Sequence, residues 1–257
     1  MIAMKQDADS IIKLSIKEKH NLKKGIQINM KVRLINFSKN PEKTVAQSAR
    51  LCYSSKSIQE IADSFDMDKQ TKLIEKIMKL GHYSVLEHIC FTFGIENISR
   101  TCSHQLVRHR IASFSQRSQR YVKIGKEQQY IIPKKIQDDK NLVQKFKNLT
   151  NKSYNLYQEM LEKDIPAEDA RYILPQAIST SIIFTANARE LIHFFRLRCC
   201  NRAQWEIREL AIEMLKLVKK EAPTIFKDAG PPCVIGPCPE GEMSCGHPWR
   251  KNNCVNN

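Results

Sequence analysis

Apolar residues recur along this chain with two periods. In residues 30–37 (MKVRLINF), Val32, Leu34 and Asn36 alternate with Arg33, Ile35 and Phe37, which predicts a strand. Residues 90–96 repeat the alternation, with Phe91, Phe93 and Ile95 on one face, and the β-branched run 179–185 predicts another strand. Elsewhere the period is helical. Pro41, favoured in a first turn, opens a helix that runs to about Leu51. Asp66 or Asp68 caps a second, whose Leu73, Ile74, Ile77, Met78 and Leu80 share a face before Gly81 ends it. Ser99 caps a helix that runs to about His109, and an irregular or short-strand region follows as far as Pro133. Residues 136–163 carry an imperfect apolar stripe that predicts a long helix, and Pro166 starts a short one that ends before Pro175. Asn187 caps the next, with Glu190 at capping-box spacing. A last helix spans about Arg202 to Glu221, with Leu210, Ala211, Met214, Leu215 and Val218 on one face, and Pro223 stops it. Long helices with few strands indicate an α+β fold in which helices cover a mostly antiparallel sheet.

At 257 residues the chain can bury a core without disulfides. Its composition divides it into a basic N-terminal extension (1–29), a domain (30–227) and a tail (228–257). From Gly230 onward lie four of the eight glycines, five of the ten prolines and four of the nine cysteines, so the tail is expected to be irregular and to lie outside the core. No segment approaches the roughly 18 consecutive apolar residues of a membrane span, and the first 30 residues hold neither a signal-peptide core nor the acid-poor composition of a transit peptide. A soluble, cytoplasmic protein with reduced thiols is expected. Cys52, Cys90 and Cys102 read as small buried hydrophobes. The tail's Cys233-x4-Cys238-x6-Cys245-x-His247-x6-Cys254 contains no C-x2-C pair, so no metal is assigned there, and thiol pairing or a flexible chain is expected.

Charge changes the picture further. Forty-two Lys and Arg against 27 Asp and Glu leave a net charge of +15, which attracts anions. Only Gly81, Gly94 and Gly125 fall between residues 31 and 229, so there is no G-x-G-x-x-G and no phosphate loop; any nucleotide must be held by side chains. Residues 97–126 contain no Asp or Glu, yet hold Arg100, Arg108, Arg110, Arg117, Arg120, Lys123 and Lys126 with His104 and His109. That window suits either a small anion gripped by planar arginine forks or a nucleic-acid surface, and composition does not choose between them. A second acid-free window lies between Glu190 and Glu206 and contains His193, Arg196, Arg198 and Arg202 beside the apolar Leu191, Phe194, Phe195 and Leu197. At least one arginine there must approach the buried face, in a structural ion pair or against a ligand.

Arg108-His109-Arg110, seven residues and then Ser118 match an R-H-R-x7-S signature, continued by Gln119-Arg120-Tyr121. Gly81-His82 with Glu87-His88, Ala170-Arg171 before Leu174-Pro175, Asn187-Ala188-Arg189, Leu197-Arg198 and Ala203-Gln204-Trp205-Glu206-Ile207 follow. In this order, across about residues 31–227, the blocks resemble the flavin-dependent thymidylate synthases.

The resemblance implies methylation of deoxyuridine monophosphate (dUMP) to thymidylate (dTMP). Methylenetetrahydrofolate would be the one-carbon donor and FAD, reduced by NADPH, the hydride carrier. It implies a homotetramer with active sites between subunits, and no membrane or nucleic-acid partner. Gln105, Arg108, Gln116, Ser118, Arg120, Arg171 and Arg198 fall at positions that hold dUMP. Ser84, Arg108, His109, Arg110, Gln116, Asn187, Arg189 and His193 fall at FAD positions. His82 and Glu87 match the folate side of the pocket. Read without the resemblance, Ser84 is a helix or turn cap, Asn187 a helix cap, and His82 and Glu87 a buried hydrogen-bonded pair. Gln116 stands where some relatives carry glutamate and His193 where some carry asparagine, so hydrogen bonding is kept while charge or shape changes. Arg198 matches the residue that activates the pyrimidine, a role in which a fixed cation favours ionisation at N3 and sends electron density to C5. No cysteine nucleophile is then needed, Cys199 and Cys200 included. The alternative from composition is a basic nucleic-acid-binding protein with a Cys-rich tail. Such a protein needs stacking aromatics among its basic residues, and the windows offer only Phe114, Tyr121 and the apolar-face Phe194 and Phe195.

Overall fold

The computed structural model describes residues 29–64, 66–125 and 129–249; nearly all of the N-terminal extension, and Cys254, lie outside the described residues. Four strands form one antiparallel sheet: β1 (Lys31–Phe37), β2 (Cys90–Ser99), β3 (Ala112–Gln116) and β4 (Ser179–Asn187), in the order β1-β2-β4-β3. The helices are α1 (Pro41–Leu51), α2 (Ile58–Asp63), α3 (Met67–Leu80), α4 (Arg100–Leu106), α5 (Lys134–Gln137), α6 (Lys140–Glu162), α7 (Ala167–Ala170), α8 (Ala188–Arg198) and α9 (Trp205–Glu221). Short 3-10 turns cover Tyr83–His88, Arg171–Ile173, Pro232–Val234 and Gly241–Met243. The fold is α+β, as the periodicity indicates.

Register explains the core. Phe91, Phe93 and Ile95 of β2 stand opposite Ala186, Phe184 and Ile182 of β4, and all six are buried on one face of the sheet. Val32 and Leu34 extend that face through β1, and Phe114 through β3, where its ring lies 5.2 Å from Phe184. The apolar sides of α8 and α9, including Leu191, Phe195, Leu210 and Met214, belong to the same buried cluster. On the opposite face, Ile35 is 52% and Ile183 45% exposed, and the Thr185 hydroxyl donates to that of Thr92 at 3.0 Å. That face has no cover within the described residues of the single chain.

Several boundaries differ from the sequence expectation for identifiable reasons. α4 ends at Leu106 rather than near His109, because Arg108 and His109 bond back to Gln105 and Leu106 in a tightened last turn. The expected helix over 136–163 is two: α5, then α6 capped by Asp139, whose carboxylate accepts from Asn141 N and Leu142 N. α9 begins at Trp205, three residues late, because the Gln204 side chain caps it by accepting from Glu206 N and Ile207 N. α2 is an addition, fixed by a complete capping box between Ser57 and Glu60. Gly81 ends α3 as expected, at φ 74°, where a side chain would be strained. Cys102 is buried, but Cys52 and Cys90 are exposed, the one at the C-cap of α1 and the other on the non-buried alternation of β2.

The tail is irregular but not detached. Val234 is buried, Trp249 packs against the core cluster, and Trp249 Nε1 and the His247 carbonyl both bond to the Asn201 side chain. Cys52, Cys90, Cys102, Cys200, Cys233, Cys238 and Cys245 are free thiols.

Two buried carboxylates tie the layers together. Glu42, in the first turn of α1, accepts from Thr224 N, Thr224 Oγ1 and Ile225 N beyond α9. Glu206 accepts from Ser99 N at 2.6 Å and from Ser99 Oγ at 2.5 Å, while that same Oγ accepts from Cys102 N at 2.9 Å and so caps α4. Burial holds the Glu206 carboxyl above its ordinary range despite both bonds. Ser99→Ala removes a cap and one of the donors that compensate this buried acid. It should lower unfolding free energy by about 2 kcal/mol or more, read from urea denaturation with an unchanged m-value.

Candidate active site

The centre of the site is assembled by α8. Its cap is Asn187, the last residue of β4, whose side-chain oxygen accepts from Glu190 N at 2.9 Å. Steps of four residues then place Glu190, Phe194 and Arg198 along one side of the helix. His109, two residues past the C-cap of α4, lies against that side. Its Nδ1 is 3.0 Å from Glu190 Oε1, its ring meets Phe194 edge-on at 4.9 Å, and its Nε2 receives Arg198 Nε at 3.1 Å. The ring of His193 stands 6.0 Å away.

Donor and acceptor rules fix the chemistry of this chain. The guanidinium nitrogen can only donate, so His109 Nε2 must accept and Nδ1 carries the ring proton toward the carboxylate. Burial lowers the His109 pKa most strongly; Glu190 opposes that shift, and the Arg198 and His193 charges reinforce it. His109 is therefore neutral, at 5% exposure, beside a Glu190 at 7%. Glu190 sits at capping-box spacing from Asn187, but its carboxylate is turned to His109. Both imidazole nitrogens are engaged inside the protein. Burial also disfavours the Arg198 charge. Its terminal amino groups have no hydrogen-bond partner among the described residues. Next to it, burial pushes the Cys102 thiol up, so the sulfur stays protonated.

A second group surrounds Gln116. Its amide donates to Ser103 Oγ at 2.8 Å and Thr180 Oγ1 at 3.3 Å, and Gln105 on α4 is half-buried. Arg108 and Arg110 are exposed and unpaired among the described residues. Further on, Ser118 Oγ accepts from Arg120 N, and the Arg120 side chain is paired with the Glu168 carboxylate. Arg171 Nε donates to the Glu168 carbonyl at 2.9 Å. A hollow of about 320 Å³ beside Arg171 is lined by Arg100, His104, Gln119 and Gln176. Burial, and then the neighbouring Arg171 charge, lower the Arg100 pKa. Two crowded guanidinium groups facing a hollow suit a phosphate.

The third group does not form as a buried pair. His82 and Glu87 are both exposed, and Glu87 is instead bound to Arg189 at 2.5 Å. Ser84 is exposed within the 3-10 turn Tyr83–His88 and makes no capping bond there. No bond between side chains among the described residues joins the three groups. Arg198 also lines a cavity of about 560 Å³ whose other wall is the tail, with Cys233, Cys238, Cys245 and His247. Among the described residues no three acidic, thiol or imidazole groups converge as metal ligands.

Sequence reasoning missed Glu190, Glu168, Ser103 and Thr180 as partners of site residues. Only Glu190 carried a signal, as one of the two acids that bound the second acid-free window and as the residue at capping-box spacing from Asn187.

Residues 33–224 match a protein family described as thymidylate synthase complementing protein. Three similar proteins bear the name flavin-dependent thymidylate synthase. That of Geobacter sulfurreducens is 55% identical over 218 residues, covering 84% of this chain and 94% of its own. That of Clostridium tetani is 48% identical, covering 87% and 96%, and that of Pyrococcus abyssi 44%, covering 83% and 91%. With the matched region enclosing β2, β3, β4, most of β1, α8 and the His109–Arg198 chain, this protein belongs to the thymidylate synthase complementing protein family.

Proposed function

We propose that the protein is an enzyme that methylates dUMP to dTMP, with methylenetetrahydrofolate as one-carbon donor and FAD, reduced by NADPH, as hydride carrier. The observation that carries this reading is Arg198: a half-buried guanidinium fixed through Nε, with its two terminal amino groups left for a ligand. Set against the pyrimidine, it stabilises the N3-ionised ring and raises electron density at C5. No thiol is asked to attack, and the protonated, buried Cys102 agrees with that.

The nucleotide is assigned to Gln105, Arg108, Gln116, Ser118, Arg120, Arg171 and Arg198. The hollow beside Arg171 suits its phosphate, and the rigidly bonded Gln116 its base or sugar. The residues present also fit FAD. Arg108 and Arg110 are exposed cations without carboxylate partners among the described residues, as a pyrophosphate requires, and Asn187 uses its oxygen as a cap while its amide nitrogen stays available. Ser84, His109, Arg189 and His193 complete the cofactor side, and the His109 ring also receives Arg198 Nε. His82 and Glu87 are assigned to the folate. When bound, the flavin supplies the hydride that completes the methyl group. The uncovered outer face of the sheet, with Ile35 and Ile183, supports assembly of copies into the expected homotetramer. Among the described residues no helix is long and apolar enough to cross a membrane. The nucleic-acid alternative is weakened because Arg198 is half-buried and fixed by His109 rather than free on a surface.

Purified FAD-loaded protein should form dTMP from dUMP, methylenetetrahydrofolate and NADPH; tight RNA binding without turnover would favour the alternative. Arg198→Lys keeps a charge but loses the planar fork. It should slow thymidylate formation about tenfold or more while flavin reduction by NADPH, followed by absorbance, changes far less. Arg120→Ala should weaken dUMP binding by about 1.5 to 3 kcal/mol in calorimetry at about 0.15 M ionic strength, and unchanged affinity would remove Arg120 from the site.

A further inference from the structure

We infer that Glu190 is a positioning residue for Arg198, acting through a neutral His109 whose ring proton it holds on Nδ1. The inference rests on the function proposed above for Arg198, but its geometry does not. Three groups form a single line: Glu190 Oε1 at 3.0 Å from His109 Nδ1, and His109 Nε2 at 3.1 Å from Arg198 Nε. Each link restricts the next. The carboxylate only accepts, so Nδ1 must donate; Nε2 is then a lone pair, which only a donor can meet. Arg198 is the donor that meets it.

A buried His⁺–Glu⁻ ion pair is the obvious rival for the first link. It fails at the second, where a protonated Nε2 would point a donor and a positive charge at the guanidinium. The groups facing His109 are Glu190, Arg198 and His193, all on α8. From the elements packed around, Cys102 on α4 lies within electrostatic reach of Arg198 and of Glu206 on α9. Apart from Glu190, the charges facing the imidazole favour its neutral form, as does its burial. Glu190 therefore chooses which nitrogen bears the proton, and so leaves the lone pair toward Arg198. Phe194, stacked edge-on at 4.9 Å, limits rotation of the ring. The guanidinium is then held through Nε alone, and no hydrogen bond among the described residues engages its two amino groups.

The nearest structural explanation is that Glu190 merely completes the cap of α8. The Asn187 side chain already performs that task, and the Glu190 carboxylate is spent on His109 instead. Pure stabilisation would also be indifferent to tautomer, whereas the positioning role is not.

The test uses FAD-loaded full-length protein, Glu190→Gln, Glu190→Ala, Arg198→Ala and the double variant Glu190→Ala/Arg198→Ala. Glutamine keeps an acceptor for Nδ1–H, so Glu190→Gln should retain most of kcat. Its acid limb should move to lower pH, because Glu190, whose charge raises the His109 pKa, is neutralised. In Glu190→Ala, the common Nε2–H tautomer can form and release Arg198. dUMP affinity and kcat should then fall about tenfold, with flavin reduction by NADPH little changed. In the Arg198→Ala background the same Glu190→Ala change should leave dUMP affinity within about twofold, because the residue through which it acts is gone. ¹⁵N NMR of histidine-labelled wild-type protein should show His109 protonated at Nδ1 at neutral pH, a reading that needs no turnover and survives if Glu190→Ala does not fold. Additive effects on dUMP affinity, an unmoved acid limb in Glu190→Gln, or an Nε2–H or doubly protonated ring in the wild type would each overturn the inference. A wild type with the Nδ1–H ring but no dTMP formation would instead overturn the function on which it rests.

Discussion

The two central strands of the sheet pass into helices with no residue between them, and the site takes its geometry from those two junctions. At one, Ser99 ends β2 and caps α4 with the same hydroxyl that it donates to Glu206. At the other, Asn187 ends β4 and caps α8. Side-chain caps here replace the loop that would otherwise satisfy the first-turn amides. Because β2 and β4 are antiparallel, with Cys90 opposite Asn187 and Ser99 opposite Ser179, the two helices leave opposite ends of the sheet. The early end of α4 then brings His109 back across to α8.

That arrangement explains why the site's polar groups tolerate burial. An isolated carboxylate or guanidinium in a core carries a large desolvation cost, and each one here is either bonded or left at a partly open edge. Glu206 is bonded twice to Ser99, Glu42 three times to Thr224 and Ile225, and Glu190 to His109. Arg100 and Arg198, both disfavoured by burial, line cavities. The protein thus compensates its buried acids internally and leaves its partly buried bases facing open space, the polarity expected of a site for anionic ligands.

Features governed by neighbouring residues were legible in the sequence. Alternation in 30–37 and 90–96 and the β-branched run 179–185 marked three of the four strands, and Ser99, Asn187 and Gly81 acted as the helix punctuation their chemistry predicts. What stayed illegible depends on residues far apart in the chain. Glu190 and His109 are 81 residues apart, Glu206 and Ser99 107, so nothing in either local window shows that they meet. The Glu190 spacing pointed to its near neighbour Asn187, and the tertiary partner won. His82 and Glu87 illustrate the reverse error: closeness in sequence suggested a pair, but Arg189 offered Glu87 an opposite charge. The family motifs singled out residues without revealing how they are connected.

The C-terminal segment gives a different lesson about where a domain stops. Composition changes sharply near residue 228, yet Val234 is buried and Trp249 reaches back to Asn201, just beyond Arg198. Arg202 is further tied to Glu240 at 3.0 Å. A cut placed at the compositional border would therefore strip a wall from the cavity that Arg198 lines and wet an apolar seat that the intact chain keeps dry. Gly- and Pro-rich sequence here serves as upholstery for the end of a helix, and the natural unit for expression or redesign extends through Trp249.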